Sequence, residues 1–370
     1  MKIIAIDAID INSFGGLIHL KQITQILSKK KILLKIYANK FVNKNLKLNS
    51  NIKIIRKPIF DKNFLIRHLW KIVFLNKELK KNKCNILLSL NGIYHGFFKP
   101  TILVQQNILP FETFAKKNYD LFSNLKFYLQ KKAILISIKF HKNVIFTSHD
   151  IKNKIINNLN YKKSLRVSVI YHGVNKTKSV KRKIFSKKNN KFLFISEFQK
   201  YKNHEKLFEV FKIAKNKNLS LTCIGKYKIE YLNYLKSKYD LNTLKIKILK
   251  DNSHRKILNI YKNYDALIFP SLCESFGLPV LEAAANKIPI LCSDLKIFRE
   301  IYGYGCFYFN PKKTRSILNQ ISNFLTLNKI EIKNKTNYAY IISRKLSWNR
   351  CGNEYYKTIL KINNFYEKKD

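Results

Sequence analysis

The chain has 370 residues, is 46% apolar and carries a formal net charge of +50, which excludes a single domain of typical size and leaves room for two, each with its own core. Its apolar runs are short and interrupted by Lys, Asn and Asp, so none is long enough to span a membrane. Cys84, Cys223, Cys273, Cys292, Cys306 and Cys351 show no CxxC or His/Cys metal spacing, which argues for free thiols in a reducing compartment and against a disulfide framework.

In chain order, short β-branched runs are expected as strands at Lys2–Ile6, Ile32–Tyr37, Asn51–Ile55, Asn85–Ser89, Thr101–Val104, Asn143–Phe146 and Val167–Ile170. Amphipathic stretches of helical period lie between most of them. The opening MKIIAID is expected to enter the first strand directly, with no signal peptide, so the protein is expected to be cytoplasmic. The basic, apolar stretch Phe64–Asn76 reads in two ways. It is either a helix packed on the first sheet, as a connection between parallel strands requires, or an interfacial helix at a membrane surface.

Residues 176–190, rich in Lys, Ser and Asn, read as a linker. A second strand series follows at Lys191–Ile195, Ser220–Ile224, Leu244–Leu249, Ala266–Phe269, Ile288–Leu291 and Cys306–Phe309, closing with helices over Ser316–Arg344 and Trp348–Phe365. Alternation of this kind predicts an α/β protein of two Rossmann-like, doubly wound domains facing a central cleft. The expected division is 1–175, the linker 176–190, 191–350, and a C-terminal helix 351–370 that packs back toward the first domain.

The charge is spread evenly: cutting the chain at residue 175 leaves the same net excess on each side. Lys travels with abundant Ile and Asn throughout, which reads as amino-acid usage bias laid over an ordinary fold. A nucleic-acid-binding face concentrates its charge and carries a reading motif; neither is visible here, so no specific nucleic-acid partner is expected. Such a surface would still be drawn to an anionic membrane leaflet, by up to about 1 kcal/mol per well-placed cation.

Chemistry concentrates in Asp265–Asp294, DALIFPSLCESFGLPVLEAAANKIPILCSD. A strand stopped by Pro270 leads through a loop with Glu274 and Gly277 to a helix expected to open at Pro279, where a missing N–H costs nothing. Gly277 permits a tight turn and a close ligand. The helix N-terminus, with free N–H groups and the positive end of its dipole, suits phosphate oxygens. Glu282 is expected in the first turn, beside that ligand, where a carboxylate can accept from ribose hydroxyls as in dinucleotide-binding folds. Glu274, on the loop, would face the other end of a nucleoside diphosphate carrying a sugar.

The run Glu274-Ser-Phe-Gly-Leu-Pro-Val-Leu-Glu282, two glutamates around a Phe-Gly-Leu-Pro core, resembles the hallmark of the retaining glycosyltransferases of family four, whose two-Rossmann-domain architecture is called GT-B. The likeness extends to Gly15-Gly16, which looks like the family's glycine loop between the first strand and a helix, to His172-Gly173-Val174-Asn175, to Phe192–His204, to Val104–Phe111 and to Trp348. It implies catalytic roles for Glu274, which orients the sugar, and Lys202, which neutralises the departing diphosphate. It implies donor contacts at Gly15, Gly16, Ser275, Phe276, Gly277, Leu278 and Glu282.

The implied reaction moves a sugar from a UDP- or GDP-sugar to a glycan or lipid-linked acceptor, with retention, in surface polysaccharide or lipopolysaccharide synthesis on the inner face of the plasma membrane. No Asp-x-Asp metal signature is present, so no metal or other cofactor is expected. Two positions depart from the family pattern. Ser196 replaces an arginine, with Lys200 a substitute charge, and Gln105–Asn107 replaces a histidine, with His19 and His95 as candidates. A sugar-nucleotide epimerase of the same fold and a non-catalytic relative are the alternative readings.

Overall fold

Among the described residues thirteen strands form, one at each expected position, and they build two all-parallel sheets. The computed structural model describes residues 2–46, 50–112, 119–159, 164–175, 190–214, 218–250 and 260–368. The expected linker at 176–190 lies outside the described residues, save position 190.

The first sheet contains β1 (Lys2–Ala8), β2 (Ile32–Ala38), β3 (Ile52–Ile55), β4 (Ile86–Ser89), β5 (Thr101–Gln105), β6 (Asn143–Phe146) and β7 (Arg166–Val169), in the order β3-β2-β1-β4-β5-β6-β7. The second contains β8 (Lys191–Ile195), β9 (Ser220–Ile224), β10 (Ile246–Leu249), β11 (Ala266–Phe269), β12 (Ile290–Ser293) and β13 (Phe307–Phe309), in the order β10-β9-β8-β11-β12-β13. Helices between consecutive strands make the parallel pairing possible. Each order reverses once, at β1/β4 and at β8/β11, and a doubly wound sheet opens a crevice beyond the strand ends at that reversal.

The chain divides into one unit of Met1–Gly173 with Trp348–Asp370 and a second of Val174–Ser347. Strand sequences explain the cores. Ile4, Ala5 and Ile6 of β1, and Leu193, Phe194, Leu267 and Ile268 of β8 and β11, are all but fully buried, as continuous apolar strands covered on both faces must be. Each large side chain so buried contributes about 1.5–3 kcal/mol.

The helices that matter below are α1 (Phe14–Leu27), α2 (Phe64–Trp70), α3 (Leu121–His141), α4 (His204–Ile213), α5 (Leu278–Ala285), α6 (Thr314–Thr326), α7 (Lys329–Lys345) and α8 (Trp348–Glu367). Two details correct the sequence reading. The expected helix over Ser316–Arg344 is two helices, α6 and α7, because Asn328 caps α7 by accepting from the Glu331 N–H at 2.8 Å. Trp348, expected in the second domain, belongs to the first unit, where its ring packs with His19 and His172.

Candidate functional site

The second unit gathers its charged residues at the strand-order reversal. The loop after β8 carries Lys202 and the loop after β11 carries Glu274, so neighbouring strands deliver the two side chains. Backbone and side-chain bonds tie the loops together. The Leu272 N–H donates to the Tyr201 carbonyl at 2.8 Å. Asn203, in the left-handed region at φ 67°, donates from its amide to the Pro270 carbonyl at 3.1 Å and to that of Pro311 at 2.8 Å.

This clamp holds the Lys202 Nζ 2.5 Å from the Glu274 Oε1, with side-chain exposures of 14% and 8%. Partial access is what a ligand needs. Burial works against the ammonium charge, but Glu274 outweighs it and holds Lys202 above the ordinary lysine range.

Gly277 follows at the N-cap of α5 with φ 81°. A Cβ there would sit 2.6 Å from Phe298, so both the turn and the close packing exclude a side chain. No side chain caps this helix end, which leaves its positive dipole facing outward. Phe276 is buried beneath the turn, while Ser275 and Leu278 are half-buried at its rim.

Two expectations about this helix are corrected. It opens at Leu278 with Pro279 second, because Gly277 already turns the chain, and Glu282 therefore starts the second turn. Glu282 is only 6% exposed. Its Oε2 accepts from the Tyr261 hydroxyl at 2.9 Å, and the same hydroxyl lies 3.1 Å from the Pro279 carbonyl. Burial and the Glu282 charge push the Tyr261 phenol well above its usual range, so it stays a neutral donor. Sequence reasoning missed Tyr261, which lies just before β11 and outside the motif, with only a polar handle as a signal.

His204 was also missed as part of this region. It opens α4 fully buried, stacked on Phe198 at 3.9 Å, and burial with the nearby Lys202 charge pushes its pKa down to about 3. Ser196, where an arginine was expected, is buried, and its hydroxyl donates to the Glu197 carbonyl at 2.9 Å. Its own carbonyl lies against Gly225, where a Cβ would come within 1.8 Å. Lys200 is exposed.

Gly15 and Gly16 belong to the first unit and lie inside the first turn of α1 rather than in a loop before it. The cause is Ser13, which caps the helix by accepting from the Gly16 N–H at 3.2 Å. Of the histidines named from sequence, His19 is fully buried, 4.4 Å from the His172 ring. His95 pairs instead with His68, Nδ1 to Nε2, at 2.9 Å.

His19, His172 and Cys351 place potential ligand atoms within 4.8 Å of one another, all buried. Burial depresses both imidazoles and raises the thiol. A divalent ion there would meet one thiolate and leave a buried net positive charge, which is costly. The set reads as aromatic packing around Trp348.

The first unit's own reversal is occupied by an ion cluster. Lys71 bonds Asp7 at 3.2 Å and Asp10 at 2.7 Å, and Arg67 bonds Asp10 at 2.9 Å. Lys71 opens a π-helical turn, Lys71–Leu75, that continues α2. Burial raises the Asp7 pKa beyond what Lys71 takes back, whereas at Asp10 the same burial is outweighed by Lys71 and Arg67.

Residues 175–340 match the family profile for glycosyl transferases group 1. Among curated proteins, the chain is 30% identical over 189 residues to an O-antigen chain mannosyltransferase of Salmonella typhimurium, covering 51% of this chain and 52% of that one. The chain thus aligns with about half of that relative's length. It is 26% identical over 304 residues to an Escherichia coli UDP-Gal:alpha-D-GlcNAc-diphosphoundecaprenol alpha-1,3-galactosyltransferase, covering 75% and 74%. Among solved structures, the Anabaena protein HepE in complex with UDP and glucose superposes with a TM-score of 0.72 at 15% identity, over 97% of this chain and 99% of that one. That last likeness shows the fold.

Proposed function

We propose that this chain, whose residues 175–340 match the family profile for glycosyl transferases group 1, moves a hexose from a nucleotide-diphosphate sugar to a lipid-linked glycan, with retention, in O-antigen or related surface polysaccharide synthesis. The pairing of Lys202 with Glu274 beside the uncapped start of α5 carries the reading. The relatives' printed names, two transferases of surface-glycan sugars, agree with it.

In this reading the diphosphate lies at the N-terminus of α5, and Lys202 turns from Glu274 toward it. As the bond from the anomeric carbon to the diphosphate oxygen breaks, negative charge grows on the leaving group. Once the donor is bound, Lys202 and the helix end face that charge and lower the barrier. Glu274, released from Lys202, holds the sugar hydroxyls. The acceptor oxygen bonds the anomeric carbon on the face the diphosphate leaves, and the acceptor proton departs with the diphosphate. Glu282, fixed by Tyr261, accepts from the ribose. Lys202 and backbone N–H groups carry the role a metal would otherwise play. UDP is the favoured carrier, since a relative's printed name contains UDP-galactose and a structural neighbour binds UDP; GDP-sugars are the competing donors.

Calorimetric titration of UDP, GDP and their sugar conjugates tests this on the native chain and on Glu282→Ala. One nucleotide should bind selectively, and the substitution should weaken it at least fivefold, about 1 kcal/mol for a lost hydrogen bond. No binding to any nucleotide would sink the reading. Retention is checked separately by the anomeric coupling in the NMR spectrum of the product.

A further inference from the structure

Two helices of the first unit expose a run of large apolar side chains to solvent in addition to the face they bury. Surface helices of soluble proteins turn apolar residues inward and charged ones outward. In α2 and the π turn after it, Lys71 is 1% exposed and bound to Asp7 and Asp10, while Leu65, Leu69 and Val73 are 69%, 61% and 53% exposed. The helix is fastened by this ion cluster together with Trp70, packed on Phe60, and Leu75, and it leaves a second apolar face outside.

The long helix α3 also leaves an apolar stripe outside. Its inward face buries Ile134 and Ile138 with Ser137 and His141, Ser137 accepting from the Tyr94 N–H at 3.1 Å and His141 bonding the Tyr94 carbonyl at 3.0 Å. Phe122, Leu125, Leu129, Ile136 and Phe140 are exposed. At 100° per residue these five fall within one narrow stripe, about 27 Å long. His95 joins the two helices, with His68 of α2 on one nitrogen and the Ala133 carbonyl of α3 on the other. Phe97, 69% exposed, packs on Phe140 and extends the patch.

We propose that the exposed apolar side chains of α2, Phe97 and α3, two helices joined through His95, form the docking surface for an anionic lipid bilayer, on which the protein lies without crossing. Contiguous apolar patches of this extent mark interaction sites. Charge decides the partner. Exposed Lys126, Lys132 and Lys139 flank the stripe, and neither Phe64–Lys77 nor Leu121–Lys142 contains an Asp or Glu. A second copy of the chain would bring like charges together, whereas anionic headgroups complement them. No helix among the described residues is long and apolar enough to cross a membrane, which fits a helix lying in the interface. The surface stands on geometry; its use in reaching a lipid-linked acceptor rests on the proposed function.

Vesicle co-sedimentation of the full chain is the test, with phosphatidylcholine alone and with about one third phosphatidylglycerol. The native chain should bind the anionic vesicles, and Leu125→Glu/Leu129→Glu and Leu69→Glu should each weaken binding about tenfold or more. The thermal transition followed by circular dichroism should be unchanged in both variants, which shows that the first unit still folds, and nucleotide titration should be unchanged as well. Anionic-vesicle binding that survives both variants would overturn the proposal. So would a native dimer, by analytical ultracentrifugation, that either variant dissociates. Vesicle binding without nucleotide binding would leave the surface supported and count against the glycosyltransferase reading alone.

Discussion

The two sheets reverse their strand order at equivalent places, and each reversal collects charge from the loops that diverge there, yet the two collections differ. At β1/β4 two carboxylates meet two cations, with Lys71 almost fully buried between the carboxylates, and the ion cluster holds α2 to the sheet. At β8/β11 one lysine meets one carboxylate, next to a helix end with no side-chain cap. A charge-balanced, buried cluster fastens the structure. A single pair beside a helix end with no side-chain cap can exchange its partner for a ligand.

The comparison can be broken most forcefully in the first unit. Lys71→Met should strand Asp7 and Asp10 in the interior and cost about 3–5 kcal/mol, read as a lowered urea midpoint; a loss below about 1 kcal/mol would mean the cluster is not what secures α2. In the second unit Lys202→Ala should reduce kcat about 10²–10³-fold, as removal of one preorganised charge does, while the melting temperature moves little. Equal turnover in the variant and native protein would assign the leaving-group charge elsewhere.

Acid should separate the units. Burial holds His68 and His141 at about 4 and His172 at about 3 in the first unit, against His204 at about 3 in the second. Each folded pKa lies below the ordinary 6.5, so the unfolded chain takes up the proton first. The stability present above pH 6.5 is then lost as the pH falls, by about 1.4 kcal/mol per pH unit for each ring. Calorimetric scans from pH 7 to 5 should show the first unit's transition falling faster; parallel decline would contradict the unequal distribution. The smallest effect is expected from Tyr261→Phe, which removes one hydrogen bond from Glu282. Donor affinity should drop about fivefold, near 1 kcal/mol, and an unchanged titration would show that Glu282 needs no positioning.

Sequence alone determined the thirteen strands, the two parallel sheets and the Glu274–Glu282 motif with its glycine turn, because strand runs, Gly and Pro act through local sterics and short-range periodicity. It misplaced the start of α5 and the surroundings of Gly15 and Gly16, since helix ends depend on one capping bond. Only the tertiary structure decided that Lys202 reaches Glu274, that Tyr261 holds Glu282 and that Trp348 joins the first unit. These pairs are far apart in the chain and are brought together by strand order. The same holds for α2, whose composition suited either a packed or an interfacial helix. Burying Lys71 between Asp7 and Asp10 settled which face turned outward, because an unpaired buried charge costs more than exposed leucines do.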